Sequence, residues 1–238
     1  FDKTTPTITS VIASDNAAST TLVKEGERVE VLFQSTDVLS ATGVATPTCS
    51  FTTDPTPDDT STDTSVPVGA AVDAVMNEEV ATDGRAWKCS TIMQNSYPEG
   101  QIGYTITAFD PAGNRVDDVN DSTIIFDNTA PTIASVIASD NAASTTLVKE
   151  GERVEVSFSS DDILNDSNVT PPTCSFTTDS DPNDATVIPV TVADNVAASQ
   201  DPDNMDGRAW KCSTIMQNSY PEGQIGYTIT AFDPAGNR

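Results

Sequence analysis

The side chains of this chain that can do chemistry are overwhelmingly carboxylates. Asp and Glu number 36 against 11 Lys and Arg, there is no His, and the formal charge is −25 over 238 residues. The acids gather in stretches that read as loops: FDKTTPTI at the start and FDNTAPTI at Phe126, the acids Asp37 and Asp161–Asp162 that follow alternating segments, and the DPAGN runs at Asp110 and Asp233. Crowded carboxylates repel one another, and a divalent cation among them relieves the repulsion. Calcium takes about 6–8 oxygen ligands from carboxylates, amides and carbonyls, whereas magnesium prefers few protein ligands in strict octahedral geometry. Calcium is therefore the expected ion. The bland alternative is an acidity that serves solubility or salt tolerance.

The same composition excludes other functions. Nucleic-acid binding needs basic surface to neutralise phosphate, and an anionic membrane repels an acidic chain. No apolar run approaches about 18 residues, so no membrane insertion is expected in this segment. The chain opens in mid-pattern at Phe1 and reads as an excerpt of a longer protein, with any signal or anchor outside it. Without His there is no ready general base, and no Ser stands in a nucleophile elbow. The acid pair Asp58–Asp59 imitates a glycosidase dyad but lies in a Thr/Asp/Pro loop. No enzymatic activity is expected.

Residues 10–31 recur letter for letter as 135–156, and residues 83–115 as 206–238. The chain is thus two tandem copies of one unit, bounded at 1–125 and 126–238. Repetition of a whole fold suits length, reach or many weak contacts better than catalysis. Each copy holds two cysteines, Cys49 with Cys89 and Cys174 with Cys212. An even count at matching positions points to one disulfide per unit and an oxidising compartment; a pair of buried free thiols is the alternative. Two cysteines and no His make zinc an unsuitable ion.

The elements that must position these groups are strands. In the first copy, residues 7–13, 27–34, 48–53, 66–72, 85–93, 101–109 and 122–126 carry strand signals, separated by turn-forming runs such as NSYPEG and DPAGN. Alternation places Val29, Val31 and Phe33 on one face, Cys49 and Phe51 on one face, and Trp87, Cys89, Thr91 and Met93 on one face. Seven short strands in this pattern describe an all-β fold, two tandem immunoglobulin-like β-sandwich domains. The third and fifth strands lie in opposite sheets of such a sandwich, so a Cys49–Cys89 bridge would cross the core beside a buried Trp. The second copy matches through DPAGN and has no counterpart of residues 116–125, so its sandwich lacks the last strand in this chain. That leaves an open edge, completed by continuation of the chain or by a neighbouring molecule.

FDNTAPTI, SVIASDNAASTTLVKEGERVEVSF and YTITAFDPAGN resemble the Ig-like tandem repeats of large bacterial surface adhesins, whose domains open on a TAPT linker and close on YT.TA.D.AGN. The resemblance covers both copies nearly end to end. It implies an extracellular location on a cell surface or in a secreted protein, stacking into a stiff stalk or filament against neighbouring repeats, and calcium at the domain junctions. The cysteine pair and the long loop over residues 54–65 depart from the bacterial pattern and fit a secreted protein of another lineage. Asn120, Asn165 and Asn168 each head an N-x-S/T sequon.

In the immunoglobulin-like topology the unit junction gathers acids around residues 126–131. The first domain brings Asp15, Asn16 and Glu99, the linker brings Asp127 and Asn128, and the second domain brings Asp161, Asp162, Asp233 and Asn237. Asp127, Asp162 and Asp233 form the expected core of a calcium site, and Asp2, Asp37 and Asp110 are their counterparts in the first copy. DPAGN is equally an ordinary turn, in which Pro presets φ, Gly adopts a left-handed conformation, and Asp and Asn bond the local backbone. The second functional expectation is a binding module, in which loops that differ between the copies (residues 38–47 and 54–83 against 163–172 and 179–206) contact a glycan or protein surface ligand.

Overall fold

A computed structural model describes residues 2–15, 19–39, 45–55, 65–140, 143–144, 146–164, 171–202 and 206–238. The expectations placed on Phe1, Asn16, Asp58–Asp59, Asn165 and Asn168 lie outside the described residues. The chain divides into two units, Phe1–Asn128 and Thr129–Arg238, with the break inside the FDNTAPTI run.

In unit 1 the strands are β1 (Ile8–Ser14), β2 (Leu22–Val23), β3 (Arg28–Ser35), β4 (Thr48–Asp54), β5 (Val66–Pro67), β6 (Val72–Asp73), β7 (Val75–Met76), β8 (Ala86–Ile92), β9 (Gly100–Phe109) and β10 (Arg115–Phe126). Among the described residues one sheet runs β1-β3-β8-β7 and the other β2-β10-β9-β4-β5, with β6 also on β4. All pairs are antiparallel except β2 with β10, which is parallel. This is the strand order of an immunoglobulin-like sandwich. Val29, Val31 and Phe33 of β3, Cys49 and Phe51 of β4 and Trp87 and Cys89 of β8 meet in one buried cluster with Ile102 and Ile106 of β9 and Phe126 of β10. Each such large side chain contributes roughly 1.5–3 kcal/mol when removed from water. The Trp87 indole N–H donates to the Gly84 carbonyl at 2.9 Å, so the ring is a hydrogen-bonded core residue.

The disulfide Cys49–Cys89 joins β4 to β8, one strand from each sheet, and Cys174–Cys212 does the same in unit 2. Two strand expectations differ from the structure. Residues 66–72 do not form one strand: Pro67 removes an N–H, Gly69 turns the chain at φ 73°, and β5, β6 and β7 divide between the two sheets. The last strand begins at Arg115 rather than 122, because its charged first half is held on β9. There the Thr107 hydroxyl donates to the Asp117 carboxylate at 2.6 Å, and Arg115 pairs with the same group at 2.9 Å.

In unit 2 the strands are β11 (Ile133–Ser139), β12 (Arg153–Ser160), β13 (Thr173–Asp179), β14 (Val190–Ala197), β15 (Ser199–Gln200), β16 (Ala209–Ile215) and β17 (Gln224–Thr230). One sheet runs β11-β12-β16-β15 and the other β14-β13-β17, so among the described residues β17 is a sheet edge. The core again joins both sheets through Val156, Phe158, Phe176, Trp210 and the disulfide. No helix of the described residues is long and apolar enough to cross a membrane.

Candidate functional site

The DPAGN turn buries its aspartate. In unit 2 Asp233 is fully buried. Asn237 donates its backbone N–H to Asp233 Oδ1 at 2.8 Å and its side-chain amide to Oδ2 at 2.9 Å. The Gly236 N–H closes the turn on the Asp233 carbonyl at 3.0 Å, and Gly236 has φ 88°, a left-handed value that suits Gly. The ordinary-turn reading of DPAGN is thus part of the structure.

Asp162 follows β12. Its N–H donates to Ser160 Oγ at 3.1 Å, and its Oδ1 accepts the Ile163 N–H at 2.7 Å. Asp162 and Asp233 bring carboxylate oxygens within 4.8 Å of one another. That spacing suits two oxygens on one divalent cation. Asp161 has another task. Its carboxylate accepts the Thr132 N–H at 2.7 Å, and its carbonyl accepts from Arg208 Nη1 at 2.8 Å. The Thr132 N–H, assisted by the Thr132 hydroxyl, holds the Asp161 carboxyl below its usual range. Asp161 therefore fastens the segment that enters β11.

Unit 1 repeats the turn without repeating the arrangement. Asp110 is buried and takes the Asn114 N–H at 2.8 Å and the Asn114 amide at 2.7 Å. Asp37 and Asp2 are exposed. Asp2 accepts the Thr4 N–H at 2.9 Å, and Asp37 accepts the Thr36 hydroxyl at 3.3 Å. Among the described residues Asp2, Asp37 and Asp110 do not form a three-carboxylate group. Asp15 accepts the Arg28 N–H and pairs with the Arg28 guanidinium at 3.8 Å, and so pins the start of β3. Asp127 follows β10, and its N–H donates to the Val23 carbonyl at 2.9 Å.

Residues 95, 99 and 128 form an arrangement that reasoning by ion ligands alone does not find. The Asn128 N–H donates to Glu99 Oε1 at 2.8 Å, its side-chain amide donates to Asn95 Oδ1 at 2.7 Å, and its Oδ1 accepts the Glu25 N–H at 3.2 Å. Asn128 is thereby sewn to unit 1. The signal was present in the sequence, since NSYPEG recurs unchanged, but a polar turn gives no indication of what it will bond.

The amide and N–H bonds from Asn114 hold the Asp110 carboxyl below its ordinary value. Such a carboxyl stabilises the fold above its unfolded pKa of about 3.9, and the support is lost as pH falls through the lower folded value. The urea midpoint of unit 1 should therefore fall as pH drops below about 4, and an Asp110→Asn variant should show a flatter profile there. An unchanged slope in the variant would show that Asp110 contributes nothing to acid sensitivity.

No family model and no curated protein matches this sequence. Solved structures similar to it include a tetra-tandem repeat in the extending region of a large adhesion protein, at 19% identity over 98% of this chain and 47% of that one, with a TM-score of 0.30. They also include a marsupial T cell receptor, at 9% identity over 98% of this chain and 72% of that one, with a TM-score of 0.38. The chain thus spans about half the length of the adhesion-protein chain. Strand order, not these likenesses, defines the fold.

Proposed function

We propose that the chain is a structural segment of an extracellular adhesive or cell-surface protein, in which Ig-like units joined end to end form a stalk or fibre. The observation that carries this reading is the double anchoring of the linker. Asn128 is bonded to unit 1 by three hydrogen bonds, and Thr132 to unit 2 through Asp161. Only Thr129, Ala130 and Pro131 stand between those anchors, and Pro131 has its φ fixed by its ring. A short connection with a locked residue suits a joint that transmits load. The disulfides fit an oxidising, extracellular setting and tie the two sheets of each sandwich together.

Calcium is the proposed stiffener. Asp162 and Asp233 would hold it; their hard carboxylate oxygens match its chemistry. Calorimetric titration with calcium should give one saturable site. Asp162→Asn should lower its affinity at least tenfold, and chelation should lower the melting temperature of unit 2. Equal heats from the parent and the Asp162→Asn variant would remove the ion from the proposal while leaving the linker anchors in place.

A binding role for the variable loops is the second reading. Its support is that, among the described residues, the stretch between the two cysteine strands is built differently in the two units: three two-residue strands in unit 1, and the longer strand β14 followed by β15 in unit 2. A glycan array probed with the whole chain tests it.

A further inference from the structure

The outward face of the β1-β3-β8-β7 sheet carries different side chains in the two units. Val29, Val31 and Phe33 of β3 enter the core, so Leu32 and Gln34 stand on the opposite face. There they lie in register with Val11 and Thr9 of β1, and Val11 is 59% exposed. The same register positions of unit 2 hold Ser157 and Ser159 beside Val136 and Ala134.

On this face unit 1 has a cavity of about 270 Å³. Val11, Leu32 and Val80 give it apolar walls, and Thr9, Gln34 and Asn77 line it with a hydroxyl and two amides. No ionisable side chain lines it among the described residues, although the chain carries a net charge of −25. Asn77 heads the turn after β7 and is 5% exposed. Its backbone is engaged: the N–H donates to the Ala86 carbonyl at 2.8 Å, and the carbonyl accepts the Val80 and Ala81 N–H groups at 3.1 Å. Its side-chain amide has no hydrogen-bond partner among the described residues. An Asn at the head of a turn ordinarily bonds the backbone two residues on, and a buried amide is ordinarily paired. In unit 2 the residue in that place, whose N–H donates to the Ala209 carbonyl, is Asp201, and its carboxylate has Lys211 Nζ at 3.8 Å.

We propose that this cavity binds one neutral sugar unit of a glycan. The inference rests on the second reading above, a binding role for the variable stretch, because Asn77 and Val80 belong to residues 54–83. The Asn77 amide offers a donor and an acceptor side by side, which match two neighbouring hydroxyls, and Gln34 and Thr9 add further polar groups. Val11, Leu32 and Val80 take the C–H face of the ring. A charged ligand would lose its water here and find no counter-charge. An extended peptide is a poorer fit, because β3 is paired on both sides, by β1 and by β8, and offers no free backbone. With about 270 Å³, just under the span usual for drug-sized ligands, the cavity takes one ring rather than several.

The test is a nuclear magnetic resonance titration of the whole chain, observing the Asn77 side-chain amide and the methyls of Val11 and Leu32. The probes are the methyl glycosides of galactose, mannose and N-acetylglucosamine, with anionic N-acetylneuraminic acid and a blocked neutral tripeptide as comparators; a glycan array is run alongside. At least one neutral glycoside or neutral glycan is expected to bind saturably, shifting those signals or scoring on the array. Asn77→Ala should weaken that binding about tenfold or more, since a hydroxyl then loses its partner. The pair Leu32→Ser and Gln34→Ser writes the unit 2 residues into unit 1 and should weaken it likewise; Ser157 and Ser159 already occupy those places in a folded β12, so this variant keeps the test open should Asn77→Ala unfold. Array binding that survives both variants overturns the cavity and leaves the loop-binding reading in place. No neutral sugar bound in either format overturns both. Saturable shifts from the tripeptide or the anionic sugar alone overturn the sugar assignment.

Discussion

Replacing both Cys49 and Cys89 by Ala should destabilise unit 1 by about 4 kcal/mol. The two residues are 40 apart in sequence, and closing a loop of that length removes chain entropy from the unfolded state worth about 4 kcal/mol. The bridge also ties opposite sheets, so its loss lets the sandwich open across its core. For a unit of this size the melting temperature should fall by about 10–20 °C. Calorimetry of the double variant, with unit 2 as an internal reference, measures the effect. The equivalent pair, Cys174 and Cys212, at a separation of 38, should behave alike. A drop of under about 1 kcal/mol would mean that the reduced unfolded chain is already constrained.

Gly100→Ala should cost about 3 kcal/mol or more, the sum of a strained backbone region and overpacking at about 1–3 kcal/mol each. Gly100 opens β9 at φ 141°, and a Cβ there would run into the Asp54 backbone at the end of β4. No flexible side chain stands at that contact to move aside. The residue before it, Glu99, holds the Asn128 N–H, so the substitution should disturb the linker anchor as well as the sheet. Chemical denaturation gives the stability change, and hydrogen exchange at Asn128 reports the anchor. Gly223 meets the Asp179 backbone in the same way, and its Ala variant provides a second copy of the experiment. A stable Gly100→Ala protein with Asn128 still protected would contradict the close approach of the start of β9 to the Asp54 backbone at the end of β4.

Much of this molecule is written in alternation. Val29, Val31 and Phe33 are buried while Arg28 is exposed, and that two-residue period is visible in the letters. The parity of Cys49 and Cys89 likewise placed them facing inward from different strands, and the bridge crosses the sheets as that parity allows. Local pattern did not reveal where tertiary pairing overrides composition. The stretch RVDDVND lies outside the strand expected at 122–126, yet it forms the first half of β10 because β9 offers it a full ladder and Thr107 and Arg115 satisfy Asp117. Leu22–Val23 becomes a strand only through its parallel partner; the same two residues in unit 2, Leu147 and Val148, do not. Of the acids singled out, Asp162 and Asp233 do come together. Asp15 and Asp161, equally acidic in the sequence, serve the backbone of β3 and of the segment entering β11 instead. An aspartate's partner depends on which N–H the fold leaves nearest, and no sequence window contains that.

The most direct test of the stalk is small-angle X-ray scattering of the whole chain, recorded with calcium and again after chelation. Two sandwiches joined end to end by an anchored linker should give an elongated, two-lobed distance distribution that narrows when calcium is present. A single compact distribution that ignores calcium would contradict it, because units folded side by side need neither a locked linker nor an ion to set their reach.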